Sequence, residues 1–499
     1  MEVGADGVFI VGSAPVSQAD HPGGQLVQGG GQRGQLGGDA HRPVIASAPV
    51  LSILDRRNTA DPAGDLPRPV LDGDEPTEVV RGIIESVRAD GDAALIELTT
   101  RFDGAHLDDV RVPTDDLDRA WEQTAPVLQR ALEAAVASVD AYHRHQMRTS
   151  SEFVNPTTGV RIVSAYSPVR RAGCYVPGGR AAYPSTVIHT AVPARVAGVE
   201  QVVVCVPPAG ADGVAPVTLA AARAAGVDEV FAVGGAQAIA ALAFGTETIA
   251  PVDVICGPGN RYVALAKREV AGVVGVPSAF AGPSEVVVIA DGSVPAAEAA
   301  ADVILQAEHG PDGLAWLITW DEAVAEAVGA EITAQVAAAP RRSDIEATLA
   351  SAGHLVLVDD LDSALAVSDR IAPEHLELLV VDAETVATRV RNAGAVFCGR
   401  FSPASVGDYL AGPSHVLPTS GTSAHASGLS VLSFLRSVQV IEYSAQALAD
   451  LAERGQVAVD LHIHLVVVAV ARRRAQSGLA TRLAGDPAHR ACSRVAPVE

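Results

Sequence analysis

The 499-residue chain predicts an α/β fold built from parallel sheets. Short apolar segments alternate with helical segments, and glycine turns separate several strands from the helices that follow them. One such series spans about residues 201–270, and a second spans about residues 315–398. Repeated strand–turn–helix units form right-handed βαβ crossovers and a parallel sheet. Two series therefore predict two similar α/β domains with a site between them.

The hydrophobic periodicity places the elements in order. Helices are predicted over 76–89 and 92–102, and one long amphipathic helix over 121–147. In the first series the predicted strands are 201–206, 229–233 and 252–256, and the helices are 217–225, 237–244 and the segment ending at 270. A helix over 295–307 follows. In the second series the predicted strands are 315–320, 354–358, 376–381 and 395–398, with helices between them.

Composition excludes several classes of protein. Hydrophobic residues make up 48% of the chain, as in a globular protein. The net charge of −23 argues against sequence-independent binding to nucleic acid, which needs a basic surface. No apolar run has membrane-spanning length. Five scattered cysteines without a C-x-x-C pair are expected to be reduced thiols of a cytoplasmic protein.

The two ends of the chain differ from its body. Residues 1–50 are rich in glycine and lack sustained periodicity, which predicts a disordered extension or a misassigned start. Residues 461–499 carry six arginines against two acidic residues, whereas the body is acidic. The change of charge and periodicity is typical of a reading-frame slip after about residue 455.

Gln306 and His309 stand three residues apart at the end of the helix predicted over 295–307. Both side chains leave one face of the helix, and Gly310 then lets the chain turn away. An amide and an imidazole in this arrangement are candidate metal ligands. On their own, such pairs are more often solvated or satisfied within a core.

Three glycine turns are candidate ligand sites. They contain Tyr175 before Pro177-Gly178, Gln237 after Gly234-Gly235, and Asn260 after Gly257-Pro258-Gly259. Ligands of parallel sheets bind beyond the carboxyl ends of strands, where backbone N–H groups are free. Neither of the latter two is a G-x-G-x-x-G motif, so tight connections without a ligand remain an equal alternative. The Tyr175 ring is a candidate for packing against a flat ligand ring.

Other polar residues stand at the junctions of elements. Glu374 and His375 lie between a helix and a strand, where a carboxylate beside an imidazole forms a candidate acid–base pair. An exposed polar junction is the common alternative. Ser284 is not part of a G-x-S-x-G motif, the turn that exposes a nucleophilic serine, so a hydrogen-bonding role is expected. Asp408 and His415 lie in a loop and matter only if the fold brings them to Gln306 and His309.

Seven motifs occur in one order: AGCYVPGG, VGGAQAIAALAFGT, CGPGN, AGPSEVVVIAD, LQAEHG, APEHLEL and SVGDYLAGPSHVLPT. Together they resemble the histidinol dehydrogenase family from about residue 66 to about residue 451. The resemblance implies two incomplete Rossmann-like domains with small helical appendages, in an intertwined homodimer. It also implies a four-electron oxidation of L-histidinol to L-histidine through bound histidinal, with two NAD and one zinc ion per subunit, at the end of histidine biosynthesis.

The resemblance also assigns roles to residues. It implies zinc ligation by Gln306, His309 and Asp408, and acid–base chemistry by Glu374 and His375. The substrate contacts that it implies are Ser284, Gln306, His309, His375 and Asp408. The NAD contacts that it implies are Tyr175, Gln237 and Asn260. The C-terminal Ala-His motif of the family, a ligand for the partner's zinc, has no counterpart after Leu451.

Two alternatives stand beside this function. A catalytically impaired homologue would lack one ligand and one substrate carboxylate because of the atypical C-terminus. A zinc hydrolase would use the same ligands to activate water, but the three NAD-type turns count against it.

The expected domains are an extension over 1–50, a helical segment over 51–150, and an NAD-binding α/β domain over 151–280. They continue with a second α/β domain over 281–415, an appendage over 416–455 and a basic tail over 456–499.

Overall fold

A computed structural model of the chain describes residues 51–67, 75–178, 181–210, 213–277, 284–308 and 313–450. The extension over 1–50 and the tail over 456–499 lie outside these ranges. In chain order the elements are β1 (Ser52–Asp55), α1 (Glu75–Asp103), β2 (Arg111–Val112), α2 (Thr114–Gln123), α3 (Pro126–Gln146), β3 (Ser151–Val154), β4 (Arg161–Pro168), β5 (Arg171–Tyr175), α4 (Pro184–Val196), β6 (Gln201–Cys205), α5 (Pro216–Ala224), β7 (Glu229–Phe231), α6 (Gly235–Phe244), β8 (Val254–Cys256) and α7 (Arg261–Val270). They continue with β9 (Glu285–Ala290), α8 (Ala296–Ala307), β10 (Leu314–Thr319), α9 (Glu322–Ala338), α10 (Arg342–Ala352), β11 (Gly353–Leu357), α11 (Leu361–Ile371), β12 (His375–Leu379), α12 (Ala383–Ala387), β13 (Ala395–Cys398), α13 (Ala404–Gly407) and β14 (Leu435–Glu442).

Two parallel sheets form the body of the protein, which confirms the predicted fold class. The first has the strand order β2-β7-β6-β5-β8, and only the edge strand β2 runs antiparallel to its neighbour. The second has the order β1-β11-β10-β9-β12-β13, and every pairing is parallel. A smaller antiparallel sheet has the order β14-β4-β3.

Each parallel sheet is covered by apolar packing on both faces, so its strands are apolar on both sides. Strand β9 reads Glu-Val-Val-Val-Ile-Ala, and all six residues are buried. Its β-branched side chains suit the pleated surface of a central strand. The Ala-rich helix α8 packs against β9 and β10, because small side chains let the helix approach the sheet closely.

The helix predictions before the first sheet are correct in part. The two helices predicted over 76–89 and 92–102 form α1, which has a non-helical break at Gly91 with φ of 53°. The single helix predicted over 121–147 is wrong, because α2 ends at Gln123 and α3 begins at Pro126. Proline disfavours a helical conformation of the residue before it, so the pattern breaks there. Helix α10 was not predicted.

The sheets cross the predicted domain boundaries. Strand β1 belongs to the segment expected to be helical, yet it pairs with β11 at the edge of the second sheet. Strands β3 and β4 pair with β14, which lies in the predicted C-terminal appendage. In the described ranges, Cys174, Cys205, Cys256 and Cys398 are free thiols, and no helix is long and apolar enough to span a membrane.

Candidate active site

A hydrogen-bonded group of polar side chains lies at the amino-terminal edge of the second sheet. Strands β9 and β12 pair with Val286 opposite His375, so the residues just before each strand are neighbours. The Ser284 hydroxyl donates to Glu374 Oε2, and the backbone N–H of Glu285 donates to the same oxygen at 3.1 Å. The Glu374 carboxylate is therefore fixed in orientation by two donors.

Gln306 joins this group from the end of α8. Its side-chain amide lies 3.2 Å from Ser284 Oγ, and Nε2 is buried with no partner in the described part of the chain. The single hydroxyl proton of Ser284 goes to the Glu374 carboxylate, which is the stronger acceptor. As placed, Gln306 Oε1 is the atom next to Ser284 Oγ, so exchanging the two amide atoms lets the NH₂ group donate to Ser284 and turns the oxygen to the unpartnered position. A buried amide oxygen without a donor is a suitable ligand for a cation.

His375 occupies the centre of the group with 5% of its surface exposed. Its Nδ1 lies 3.1 Å from the carbonyl oxygen of Glu285 and 3.6 Å from Glu374 Oε2. Its Nε2 lies 3.7 Å from Asp408 Oδ1. Because a carbonyl can only accept, Nδ1 carries a proton, and in the neutral ring Nε2 is the basic nitrogen.

Two opposing effects set the pKa of His375. Burial disfavours the imidazolium, but the carboxylates of Glu374 and Asp408 outweigh this cost and raise the pKa to about 9. Burial raises the pKa of Glu374, although its neighbours favour the carboxylate. An imidazole whose pKa is strongly shifted and which lies between two carboxylates is characteristic of sites that transfer protons.

The loop that carries Asp408 is held against the first domain. The Asp408 backbone carbonyl lies 2.9 Å from His415 Nδ1, and the His415 ring stacks on His189 of α4 with centroids 4.4 Å apart. The Thr186 hydroxyl lies 3.3 Å from His415 Nε2. This loop therefore contacts α4 through His415 and the edge of the second sheet through Asp408.

The turns of the first domain also converge. The Tyr175 hydroxyl accepts from the Gly235 N–H at 3.1 Å. At Gly257 φ is +106°, and a Cβ there would lie 2.0 Å from the Tyr175 carbonyl oxygen, so only glycine fits. The three turns follow β5, β7 and β8 and meet at the carboxyl edge of this sheet, where parallel sheets bind ligands.

The predicted cofactor residues differ in their surroundings. Gln237 is 1% exposed and its Oε1 has no partner in the described chain, which fits a site for a polar ligand. Asn260 caps α7 by accepting from the N–H groups of Tyr262 and Val263. The Tyr175 ring is only 3% exposed, so in this structure little of its face is open to the flat ligand ring that the sequence analysis considered. Burial of the hydroxyl raises the Tyr175 pKa to about 12.

The structure therefore brings Ser284, Gln306, Glu374, His375 and Asp408 together, whereas His309 lies outside the described residues. The described ranges contain no group of three His, Cys, Asp or Glu side chains arranged to hold a metal. Of the predicted ligands they supply one amide and one carboxylate, which suit zinc as part of a mixed nitrogen and oxygen set.

Sequence reasoning did not single out Glu285, Glu377 or His189. Glu285 and Glu377 are charged residues within buried apolar strands, and this conflict with the strand pattern was a signal that could have found them. His189 lies in a helix whose residues 186–194 are all buried, so no amphipathic pattern in the sequence distinguished it.

Comparison with known proteins agrees with this geometry. The model of the histidinol dehydrogenase family matches residues 66–461. The chain belongs to the histidinol dehydrogenase family. A histidinol dehydrogenase from Prochlorococcus marinus (strain MIT 9313) is 49% identical over 370 residues, which cover 74% of this chain and 83% of the relative. One from Thermobifida fusca (strain YX) is 47% identical over 407 residues, which cover 81% of this chain and 92% of the relative.

The fold of the histidinol dehydrogenase family is also seen in a solved structure. The crystal structure of histidinol dehydrogenase from Elizabethkingia anophelis superposes with a TM-score of 0.82 at 31% identity. The superposition covers 86% of this chain and 99% of the other. The family assignment makes the protein an oxidoreductase and decides against the zinc hydrolase.

Titration of His189 should make the stability of the protein depend on pH. Burial lowers the His189 pKa from 6.5 to about 3, with a smaller effect of His415. The unfolded chain therefore takes up a proton below pH 6.5 while the folded chain does not, so stability is lost as pH falls through this window. We expect wild type to lose about 2 kcal/mol relative to His189→Asn between pH 8 and pH 5.

Chemical denaturation at a series of pH values measures this difference. Asparagine retains an acceptor for the His415 N–H, which lies 3.3 Å from His189 Nδ1, so the loop contact is kept. A constant difference between the two proteins from pH 8 to pH 5 would show that His189 is not buried as a neutral ring.

Proposed function

We propose that the protein oxidises L-histidinol to L-histidine through bound histidinal, using two NAD and one zinc ion per subunit. This is the final part of histidine biosynthesis, and we place the enzyme in the cytoplasm. The observation that carries the proposal is the connected group of Gln306, Ser284, Glu374, His375 and Asp408 in a chain of this family.

Gln306 and Asp408, with His309, would hold the zinc ion. The unpartnered end of the Gln306 amide and the half-buried Asp408 carboxylate fit this role. When bound, zinc orients an amine or imidazole of the substrate, because it favours nitrogen donors at its open positions. A cation bound to the Asp408 carboxylate would also weaken the interaction of that carboxylate with His375 and so lower the His375 pKa towards neutrality.

His375 accepts the proton of the substrate alcohol at Nε2. The Glu285 carbonyl fixes the proton on Nδ1, so the basic nitrogen is the one that faces the site. The nicotinamide of NAD, when bound, would supply the redox chemistry by taking the hydride of the same carbon. The protein's part in the alcohol oxidation is then to place the reacting carbon correctly and to remove one proton.

Glu374 prepares the second oxidation with His375. Its Oε2 is held by Ser284 and Glu285, so Oε1 is the oxygen that can take a proton from water as the aldehyde is hydrated. The raised pKa of Glu374 suits this exchange, because a carboxylate with a raised pKa is a stronger base. A second NAD would take the hydride of this hydrate, which leaves the carboxyl group of histidine and one proton.

The converging turns of Tyr175, Gln237 and Asn260 would hold NAD. Two observations support this proposal: Gln237 Oε1 has no partner in the described chain, and the three turns lie at the carboxyl edge of the first sheet. The family match over 66–461 favours this dehydrogenase over a catalytically impaired homologue.

Purified protein given L-histidinol and NAD should form two NADH for each histidine. His375→Asn should slow this oxidation by about 10²- to 10⁴-fold, the usual contribution of one acid–base group, and should leave zinc bound. His106→Asn is the control, since it makes the same change at an exposed position. No NADH from wild type with added zinc would contradict the proposal, and loss of zinc from His375→Asn would show that its role is misassigned.

We also propose that the protein is a homodimer. The antiparallel sheet of β3, β4 and β14 exposes large apolar side chains, which mark an interaction surface. They are Phe153, Val154, Tyr166, Val438, Val440 and Ile441.

Light scattering should therefore give twice the chain mass of 51.1 kDa. Ile441→Glu should yield the single-chain mass, because a charge in an apolar interface is costly. Val273→Glu, at an exposed valine outside this sheet, should remain dimeric. A single-chain mass for wild type would rule the dimer out.

A further inference from the structure

Glu377 is a fully buried acidic residue that the proposed chemistry does not use. It lies on β12 two residues after His375, so both side chains leave the same face of the sheet, towards α8. Its surface is 0% exposed, and Oε1 accepts from the backbone N–H of Ala404 at 2.8 Å. Ala404 begins α13, and Asp408 is the C-cap residue that directly follows its last residue, Gly407. Glu377 thus binds the start of the turn whose end carries Asp408.

A second acid, Asp302 on α8, lies beside Glu377, whose Oε2 has no other hydrogen-bond partner in the described part of the chain. Asp302 lies four residues before Gln306, so the two side chains share one face of the helix. Burial and a hydrogen bond with Asp302 raise the pKa of Glu377 to about 9, and burial raises the pKa of Asp302. The fully buried Glu377 therefore holds a proton at neutral pH, because its carboxylate would lie in a dry environment beside the half-buried Asp302 carboxylate.

We infer that Glu377 and Asp302 are a positioning pair that sets the distance between Gln306 and Asp408. The pair joins α8, β12 and the turn at 404–408, the three elements that carry Gln306, His375 and Asp408. This inference rests on the proposed zinc site, since a metal requires its ligands at fixed separations.

A second tie between α8 and this turn lies at the surface. Arg400 donates to the Glu298 carboxylate, with Nε 2.7 Å from Oε2. Glu298 precedes Asp302 by one helical turn, so Glu298, Asp302 and Gln306 form a polar stripe along α8. The ion pair is half exposed, with 51% and 37% of the side chains accessible, and exposed pairs contribute little. The buried pair therefore does most of the positioning.

Glu377→Leu removes both hydrogen bonds at nearly constant volume. It leaves the Ala404 N–H and the Asp302 carboxyl without a partner, so the turn and α8 lose their common anchor. We expect the dissociation constant for zinc, measured by chelator competition on the full chain, to rise about tenfold to a hundredfold, as for other residues that support metal ligands.

Glu377→Gln is the conservative variant. The amide oxygen can accept from Ala404 and the NH₂ group can donate to Asp302, so it reproduces a protonated Glu377. We expect its zinc affinity to lie within about threefold of wild type. Equal loss in both variants would contradict a protonated Glu377 that donates to Asp302.

Leu378→Ala is the matched control for stability. Leu378 lies on the same strand, is fully buried, and packs on the opposite face, away from α8. We expect this variant to lower Tm while zinc affinity is unchanged, because large-to-small changes in a core cost about 2–5 kcal/mol. If Glu377→Leu weakened zinc binding no more than Leu378→Ala, the inference would be wrong.

The zinc measurement separates the inference from the proposed function. If wild type binds no zinc, the proposed zinc site fails and the positioning pair fails with it. If wild type binds zinc and Glu377→Leu binds it equally well, only the positioning pair is overturned.

Discussion

The pairing of β9 with β12 is the constraint on which the candidate site depends. Val286 lies opposite His375, and this register brings Ser284 and Glu285 to Glu374 although about 90 residues separate them in the chain. A slip of one residue would turn every side chain of β12 to the other face. Both strands are buried and apolar packing covers both faces of the second sheet, so the sheet holds this register firmly.

Three titratable side chains are buried close together where the chemistry is proposed. Glu374, His375 and Glu377 are each less than 10% exposed, and all three lie within four residues of one strand. Burying such groups is costly unless they are paired, and here hydrogen bonds from Ser284 and the backbone offset part of the cost. Buried titratable groups with shifted pKa values lower the stability of the fold, so their clustering here is better explained by function than by folding. Glu377 extends this argument from the reacting groups to the residues that hold them.

The sequence alone predicted the two parallel sheets because strand and helix periodicities alternate clearly there. It did not predict that β1 completes the second sheet, since that pairing joins segments about 300 residues apart. Proximity of Ser284, Gln306, Glu374 and Asp408 followed only from the family resemblance. The rule that ligands lie at the carboxyl ends of strands locates the three turns proposed to hold NAD, but the group around His375 lies at the amino-terminal edge of its sheet. The partners of Glu377 depend on how α8 packs, which local patterns do not contain.

Zinc ligation by Gln306 and Asp408 is the central claim, because orientation of the substrate and the role of His375 both depend on it. The direct measurement is a crystal structure of the protein with zinc, with anomalous difference maps recorded on both sides of the zinc absorption edge. A peak that appears only above the edge, about 2.0–2.2 Å from the Gln306 and Asp408 oxygens, is the expected result. A zinc peak at another place, or none at this site in zinc-loaded crystals, would contradict the account.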